Sequence, residues 1–295
     1  MYREFKVEDG NYYERLDRFL RNVLDDLKLS SIYKLLRKGN VKVNGKRVKD
    51  GSHRLSIGDV LQVYYLGDSS RMKRLEETRE LTPRKIPLDI IYEDDAIIAL
   101  DKPAGISVHP GKGIQIVTLI EGLLAYGREK GFEPHPVHRL DKHTSGVILF
   151  SKSLASAREV SRLFREHKVE KIYLTLVKDF PQAENGRLES MSEGVLEALE
   201  YSLEKRYREV SLLKVRLHTG KKHQIRRQMA QIGCPVAGDD VYGDRTFNRN
   251  FKKASGLKRY FLHCQHLGFT YSSGSKITVD SKLPEDLLKV LASLE

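Results

Sequence analysis

The sequence predicts an α+β protein, with a small basic helical module ahead of a larger domain built on a mainly antiparallel sheet. Three observations carry this. Near the start of the 295-residue chain, apolar residues recur at helical spacing and then alternate around an Asn-Gly pair. Further on, apolar strand-like runs come in adjacent pairs rather than singly between helices, which favours antiparallel pairing over a doubly wound sheet. Positive charge is also uneven. Residues 1–66 hold 14 Lys+Arg against 9 Asp+Glu, whereas residues 87–295 hold 32 against 27. The first segment is therefore about three times as basic per residue, which suggests separate jobs.

The elements follow in order. Leu16, Phe19, Leu20, Val23, Leu24 and Leu27 form one apolar helix face. Ser30 or Ser31 can cap a second short helix carrying Ile32, Leu35 and Leu36, which Gly39 stops. Val41 and Val43 lead into Asn44-Gly45, a hairpin signal, and Val60–Tyr65 reads as a further strand. Residues 67–86 are polar without apolar periodicity and read as a linker to a domain spanning 87–295. There, Leu88–Tyr92 and Ala96–Asp101 read as strands about an Asp94-Asp95 turn, and Thr118–Lys130 as a helix. Val147–Phe150 is a short apolar strand and Ser153–His167 a helix. Lys171–Val177, Leu199–Arg206 and Val210–Leu217 read as strands, Lys222–Ile232 as a helix.

Composition narrows the function. Lys+Arg exceed Asp+Glu by 12, a surplus that favours a polyanionic partner. The longest apolar run, Ala96–Leu100, is too short for a transmembrane helix, and the N-terminus has charges where a signal peptide needs apolar residues. Two cysteines, Cys234 and Cys264, cannot make a disulfide scaffold or a four-cysteine zinc site. A cytosolic, reduced setting is expected, with no cofactor and no metal.

Two patches hold the chemistry-bearing residues. In Pro136–Phe150 a lone carboxylate, Asp141, sits among His138, Arg139, Lys142 and His143. A carboxylate among cations stays ionised and can act as a nucleophile; taken alone, it can equally tie down a turn or cap a helix. In Leu217–Met229 a glycine turn precedes a basic helix. Arg226 there can offer a bidentate fork to a buried carboxylate, or belong to an ordinary solvated helix.

The first module resembles the S4 RNA-binding domain, on Arg15-Leu16-Asp17, KLLRKGNVKVNGKRV (Lys34–Val48) and Ile57-Gly58-Asp59-Val60. The resemblance implies that the second helix and the loop after it face RNA. Lys34, Arg37, Lys38, Lys42 and Lys46 cluster there as RNA-binding residues, the alternative being a solvated face. Leu29-Ser30-Ser31 stands where many such domains have an arginine.

Further on, DKPAGISVHP (Asp101–Pro110), HRLDKHTSGVILFSK (His138–Lys152), KIYL (Lys171–Leu174), TGKKHQIR (Thr219–Arg226), CPVAGDDVYG (Cys234–Gly243) and YFLHCQHLGF (Tyr260–Phe269) occur in this order. This set resembles the RluA family of pseudouridine synthases. The tail, YGDRTFNRNFKK and GLKRYFLH, is most similar to the RluC branch, which acts on large-subunit ribosomal RNA. The resemblance implies a pseudouridine synthase domain with a mainly antiparallel mixed sheet flanked by helices. It also implies isomerisation of specific uridines, most simply in large-subunit (23S) ribosomal RNA, with the base cut from C1′, turned and rejoined through C5.

Residue by residue, Asp141 matches the family's essential nucleophilic aspartate. Tyr173 matches the tyrosine that packs against the target base and is a candidate for moving the C5 proton. Arg226 matches the arginine that pairs with the aspartate. Leu262 matches an aliphatic position against the tyrosine ring, and Arg139 a residue that fills the space left by a flipped-out uridine. Lys221, His143 and Cys264 depart from the commoner family residues but leave Asp141, Tyr173 and Arg226 themselves as the family has them. The expected partner is 23S ribosomal RNA or a precursor large-subunit particle, met by a monomer away from membranes. The rivals are a non-catalytic S4-type ribosome-assembly factor, a synthase acting on transfer RNA, and a metal-dependent hydrolase using His135, His138, His263 and His266.

Overall fold

A computed structural model describes residues 2–8, 15–24, 29–64, 81–110, 117–192 and 194–295. The chain forms two compact units, Met1–Glu80 and Leu81–Glu295. Among the described residues, no helix is long and apolar enough to cross a membrane.

In the first unit, helices α1 (Leu16–Val23) and α2 (Leu29–Arg37) cover a four-stranded antiparallel sheet of order β1-β4-β2-β3. Its strands are β1 (Arg3–Lys6), β2 (Val41–Val43), β3 (Lys46–Arg47) and β4 (Val60–Val63). Leu16, Phe19, Leu20 and Leu24 are buried, as their spacing predicts, and pack with Ile32, Leu36, Val41, Leu61 and Val63. Leu27 lies outside the described residues. The first N–H groups of α1 have no partner within the helix. Here Leu16 N–H donates to the His53 carbonyl and Asp17 N–H to that of Gly51, both at 2.9 Å. Asn44 and Gly45 take positive φ, 48° and 78°, as a tight hairpin of this twist requires. Strand β1 has no counterpart in the sequence reading. It is a mostly exposed edge strand whose partner, β4, lies far along the chain.

In the second unit, residues 81–86, expected within the linker, run beside helix α3 (Leu119–Lys130). Arg84 N–H donates to the Glu121 carbonyl, and Ile86 packs against Gly122. Residues 67–80 lie outside the described residues.

The sheet has ten strands: β5 (Ile90–Glu93), β6 (Ile97–Lys102), β7 (His135–Pro136), β8 (Ser145–Ser151), β9 (Glu170–Lys178), β10 (Asn185–Ser192), β11 (Val195–Arg206), β12 (Val210–Leu217), β13 (Leu262–Thr270) and β14 (Lys276–Asp280). Its main path is β10-β11-β12-β9-β13-β8-β6-β5, with β14 on β13 and β7 on β8. Among the described residues, every pairing in it is antiparallel except β8 with β13. The mainly antiparallel α+β architecture expected from the sequence is thus present.

Strand β8 is buried along its whole length, so it reads as a continuous apolar run rather than an alternation. Helix α4 (Leu154–Arg165) packs on it. Helices α5 (Gln224–Gln231), α6 (Arg245–Ser255) and α7 (Glu285–Ala292) complete the unit. A second apolar cluster, including Phe251, Phe261, Leu287 and Val290, joins α6 and α7 to the sheet.

The centre of this sheet sets up the site. Strands β8, β13 and β9 are neighbours, with Cys264 opposite Gly146 on one side and Tyr173 on the other. Gly146 has φ 107°, and a Cβ there would collide with the Cys264 carbonyl oxygen. Only glycine lets the two backbones come this close.

Candidate active site

Asp141, Tyr173, Arg226, Leu262 and Arg139 all line one cavity of about 200 Å³, shared with Leu140, Thr144, Leu217 and the 220–225 segment. They reach it from four places. Asp141 and Arg139 lie in the loop before β8, Tyr173 on β9, Leu262 at the start of β13 and Arg226 on α5. Helix α5 is not a solvated basic helix: Gln224, Ile225, Arg226, Gln228 and Met229 are all buried.

The loop bearing Asp141 is braced from below. Thr144 N–H donates to the Asp141 carbonyl at 3.1 Å, closing a turn. The buried Lys102 ammonium donates to the carbonyls of Pro103, Ile106 and Lys142 at 2.9, 3.0 and 3.1 Å, tying the KPAG segment to the residue after Asp141. Burial, and secondarily the charge of Arg259, push its pKa down to about 7. Arg259 donates to the His143 carbonyl and to Ser145 Oγ, both at 3.0 Å, and to Asp286 of α7 at 2.8 Å. His138 accepts the Leu149 N–H at 2.8 Å and stacks on Phe164; burial pushes its pKa down to about 3, so it serves as a neutral acceptor.

Asp141 keeps 20% of its side chain exposed. Its Oδ2 lies 3.8 Å from Arg226 Nη1 and 3.8 Å from His223 Nε2, ion-pair distances rather than hydrogen bonds. The Arg226 fork closes on a different carboxylate. Nε and Nη2 donate to Asp239 at 2.6 and 2.8 Å. Burial disfavours the Arg226 charge, but the hydrogen bonds and charge of Asp239 outweigh it and raise the pKa. Burial likewise disfavours the Asp239 carboxylate, and hydrogen bonds from Arg226 and the Val241 and Tyr242 N–H groups bring its pKa down overall. Arg226 thus serves two carboxylates, where the resemblance implied one.

Tyr173 is buried, and desolvation, followed by the neighbouring Cys264, raises its phenol pKa well above the usual value. Burial pushes the Cys264 thiol up to about 12. Both groups are therefore neutral at physiological pH.

Sequence reasoning passed over His223, Asp239, Tyr242 and Tyr260. The Arg226 guanidinium carbon lies 4.3 Å from the Tyr260 ring centroid and 5.3 Å from that of Tyr242. Tyr260 and Thr144 hydroxyls are 3.2 Å apart, and His223 Nδ1 lies 3.1 Å from the Tyr242 hydroxyl. His223 has φ 56°, the left-handed region, just before α5. Asp239 and Tyr242 stand inside the CPVAGDDVYG motif, but nothing in their spacing names Arg226 as the partner.

In the first unit, Lys34, Arg37, Lys38 and Lys46 are exposed. Lys42 is half-buried, with its ammonium 5.0 Å from the Tyr64 ring centroid. Of the histidines raised as metal ligands, His263 bonds Ser145, and His266 bonds Asp280. Among the described residues, no three of His, Cys, Asp and Glu converge as a metal site.

Known proteins resemble this chain in sequence and in fold. Residues 96–231 match the RNA pseudouridylate synthase family, and residues 14–61 the S4 domain. An uncharacterized RNA pseudouridine synthase of Aquifex aeolicus is 35% identical over 99% of this chain and 96% of its own. The ribosomal large subunit pseudouridine synthase C of Escherichia coli K12 is 34% identical over 95% of this chain and 93% of its own. The human RNA pseudouridylate synthase domain containing 4 shares the fold, with a TM-score of 0.60 at 22% identity, covering 70% of this chain and 92% of its own. With an S4 domain ahead of a cavity that gathers the family's motif residues, the chain belongs to the RluA family of RNA pseudouridine synthases, in its RluC-like branch, and is an isomerase.

Proposed function

We propose that this enzyme converts specific uridines of large-subunit (23S) ribosomal RNA to pseudouridine, with Asp141 as nucleophilic catalyst on a uridine flipped out of the RNA. The observation that carries this reading is the position of Asp141. It is a partly exposed carboxylate at the cavity wall, near the Arg226 charge but outside its hydrogen-bonded fork. An RNA-binding factor without chemistry has no use for such a group.

In the reaction the C1′–N1 bond breaks, the uracil turns, and a C1′–C5 bond forms. The C5 proton is lost and N1 gains one, so atoms balance without water or a cofactor. Asp141 supplies the electron pair that bonds C1′ as N1 departs and takes it back as C5 attacks C1′, so the carboxylate is regenerated. The Arg226 charge compensates the carboxylate without enclosing it. Tyr173, kept neutral by burial, forms with Leu262 a wall against which the base packs while it turns. Arg139, exposed beside the nucleophile, fills the gap left in the RNA. Lys34, Arg37, Lys38, Lys42 and Lys46 hold RNA phosphates, a task that positions substrate without reacting.

Mapping pseudouridine in cells lacking the protein tests the substrate. Loss at large-subunit sites is expected. Loss confined to transfer RNA would redirect the reading to the other substrate, and an unchanged map would remove it.

A further inference from the structure

Arg226 is a bidentate donor with two carboxylates to choose from, and its geometry is fully committed. Asp239 is entirely buried. Its Oδ2 accepts Arg226 Nε, while its Oδ1 accepts Arg226 Nη2 and the backbone N–H groups of Val241 at 2.9 Å and Tyr242 at 3.1 Å. A carboxylate with four donors cannot rotate without losing several bonds at once.

The loop carrying Asp239 is braced in turn by α6. Asn248 Nδ2 donates to the Asp239 carbonyl, and Asn248 Oδ1 accepts the Gly238 N–H, both at 2.8 Å. Tyr260 and Tyr242 lie close to the guanidinium and favour one orientation for it. Of its three nitrogens, only Nη1 is left facing Asp141, at 3.8 Å.

We propose that Asp239 is a positioning residue for the isomerisation: it holds the Arg226 fork away from Asp141, so the nucleophile is charge-compensated but its oxygens stay free of the guanidinium. This rests on the reading of Asp141 as the nucleophile. A carboxylate gripped by a bidentate arginine has its lone pairs engaged and must break strong bonds before attacking carbon. A carboxylate near the same charge, but outside the fork, keeps the electrostatic benefit without that penalty. Two acids sharing one arginine achieve this: the buried one takes the hydrogen bonds and the exposed one keeps its reactivity.

The test uses the full chain and a transcript of large-subunit ribosomal RNA. Asp239→Asn keeps size but removes the charge and one acceptor oxygen, so the fork is released toward Asp141. Its single-turnover rate should fall by at least about tenfold, with RNA affinity unchanged within about twofold. In an Arg226→Met background, adding Asp239→Asn should change the rate by less than about twofold, because Asp239 acts through Arg226. Thermal unfolding of each variant gives the folded fraction. Asp239→Glu, which keeps the charge but displaces the fork, serves should the amide fail to fold, and its rate should also fall. A wild-type rate per folded molecule in Asp239→Asn, or an equal further loss in the Arg226→Met background, would overturn the proposal. Asp141→Asn separates the two readings. Activity surviving there removes the nucleophile reading itself, whereas activity lost there but intact in Asp239→Asn removes only the positioning role.

Discussion

The two units carry similar surpluses of positive charge and use them in opposite ways. In residues 1–66 the cations Lys34, Arg37, Lys38 and Lys46 stand in solvent on a small scaffold. In the second unit Lys102, Arg226 and Arg259 are buried, each donating to named carbonyls or carboxylates. An exposed cation acts at a distance, is screened by salt and needs no fixed geometry. A buried cation has lost its water, so it survives only if its donors are satisfied, and it then becomes a rigid part. On the proposed reading, one kind attracts a polyanion of any sequence and the other places a single reacting group.

The largest effect should come from Asp141, the partly exposed carboxylate beside the buried Arg226. Asp141→Ala should lower the single-turnover rate by about a thousandfold or more while leaving RNA affinity nearly unchanged, read by rate and binding on the same transcript. If the variant still made pseudouridine, the contrast between grip and chemistry would collapse.

Arg226→Met comes next. It leaves the Asp239 carboxylate buried without its cation, which should cost about 3–5 kcal/mol of stability by denaturant unfolding, together with a lowered but still measurable single-turnover rate. A stability close to wild type would mean that this pair is no more consequential than a surface one.

The exposed set should respond in another currency. Changing Lys34, Arg37 and Lys38 together to Gln should reduce the slope of log affinity against log salt by about 2 to 3 units, with the rate at saturating RNA held. An unchanged slope would exclude these three from phosphate contact.

The smallest effect concerns the hairpin that carries Lys42 and Lys46. Gly45→Ala forces an L side chain into φ 78° and should cost about 1 kcal/mol in the melting of the first unit, with no change in the rate at saturating RNA.

Much of the fold is legible locally because helix faces and buried strands print their own period. The α1 face, the Asn44-Gly45 turn, the apolar run of β8 and helices α3 and α4 emerge within a residue or a few of their observed positions. Several strands escaped reading, among them the short β7 and the central, mostly buried β13. The edge strands β1, β10 and β14 carry a polar or exposed side and owe their pairing to a single neighbour. Helices α6 and α7 were legible but unread: Asp244 caps α6 through the Thr246 and Phe247 N–H groups, and Leu287 and Val290 of α7 share a helical spacing.

By itself, the sequence determined that the chain has a basic S4-like module, a mainly antiparallel second domain, and a motif set that converges on Asp141, Tyr173 and Arg226. The helix faces, strands and turns are written in residue order, because periodicity and turn chemistry act over a few residues, while the S4 likeness and the motif set come from the family resemblance. Only the tertiary structure decided which charges are exposed and which are buried, and which carboxylate takes the Arg226 fork. A guanidinium's partner is settled where separate chain segments meet in a space closed to water. There the loop before β8, helix α5 and the loop carrying Asp239 meet, and each buried donor must find an acceptor.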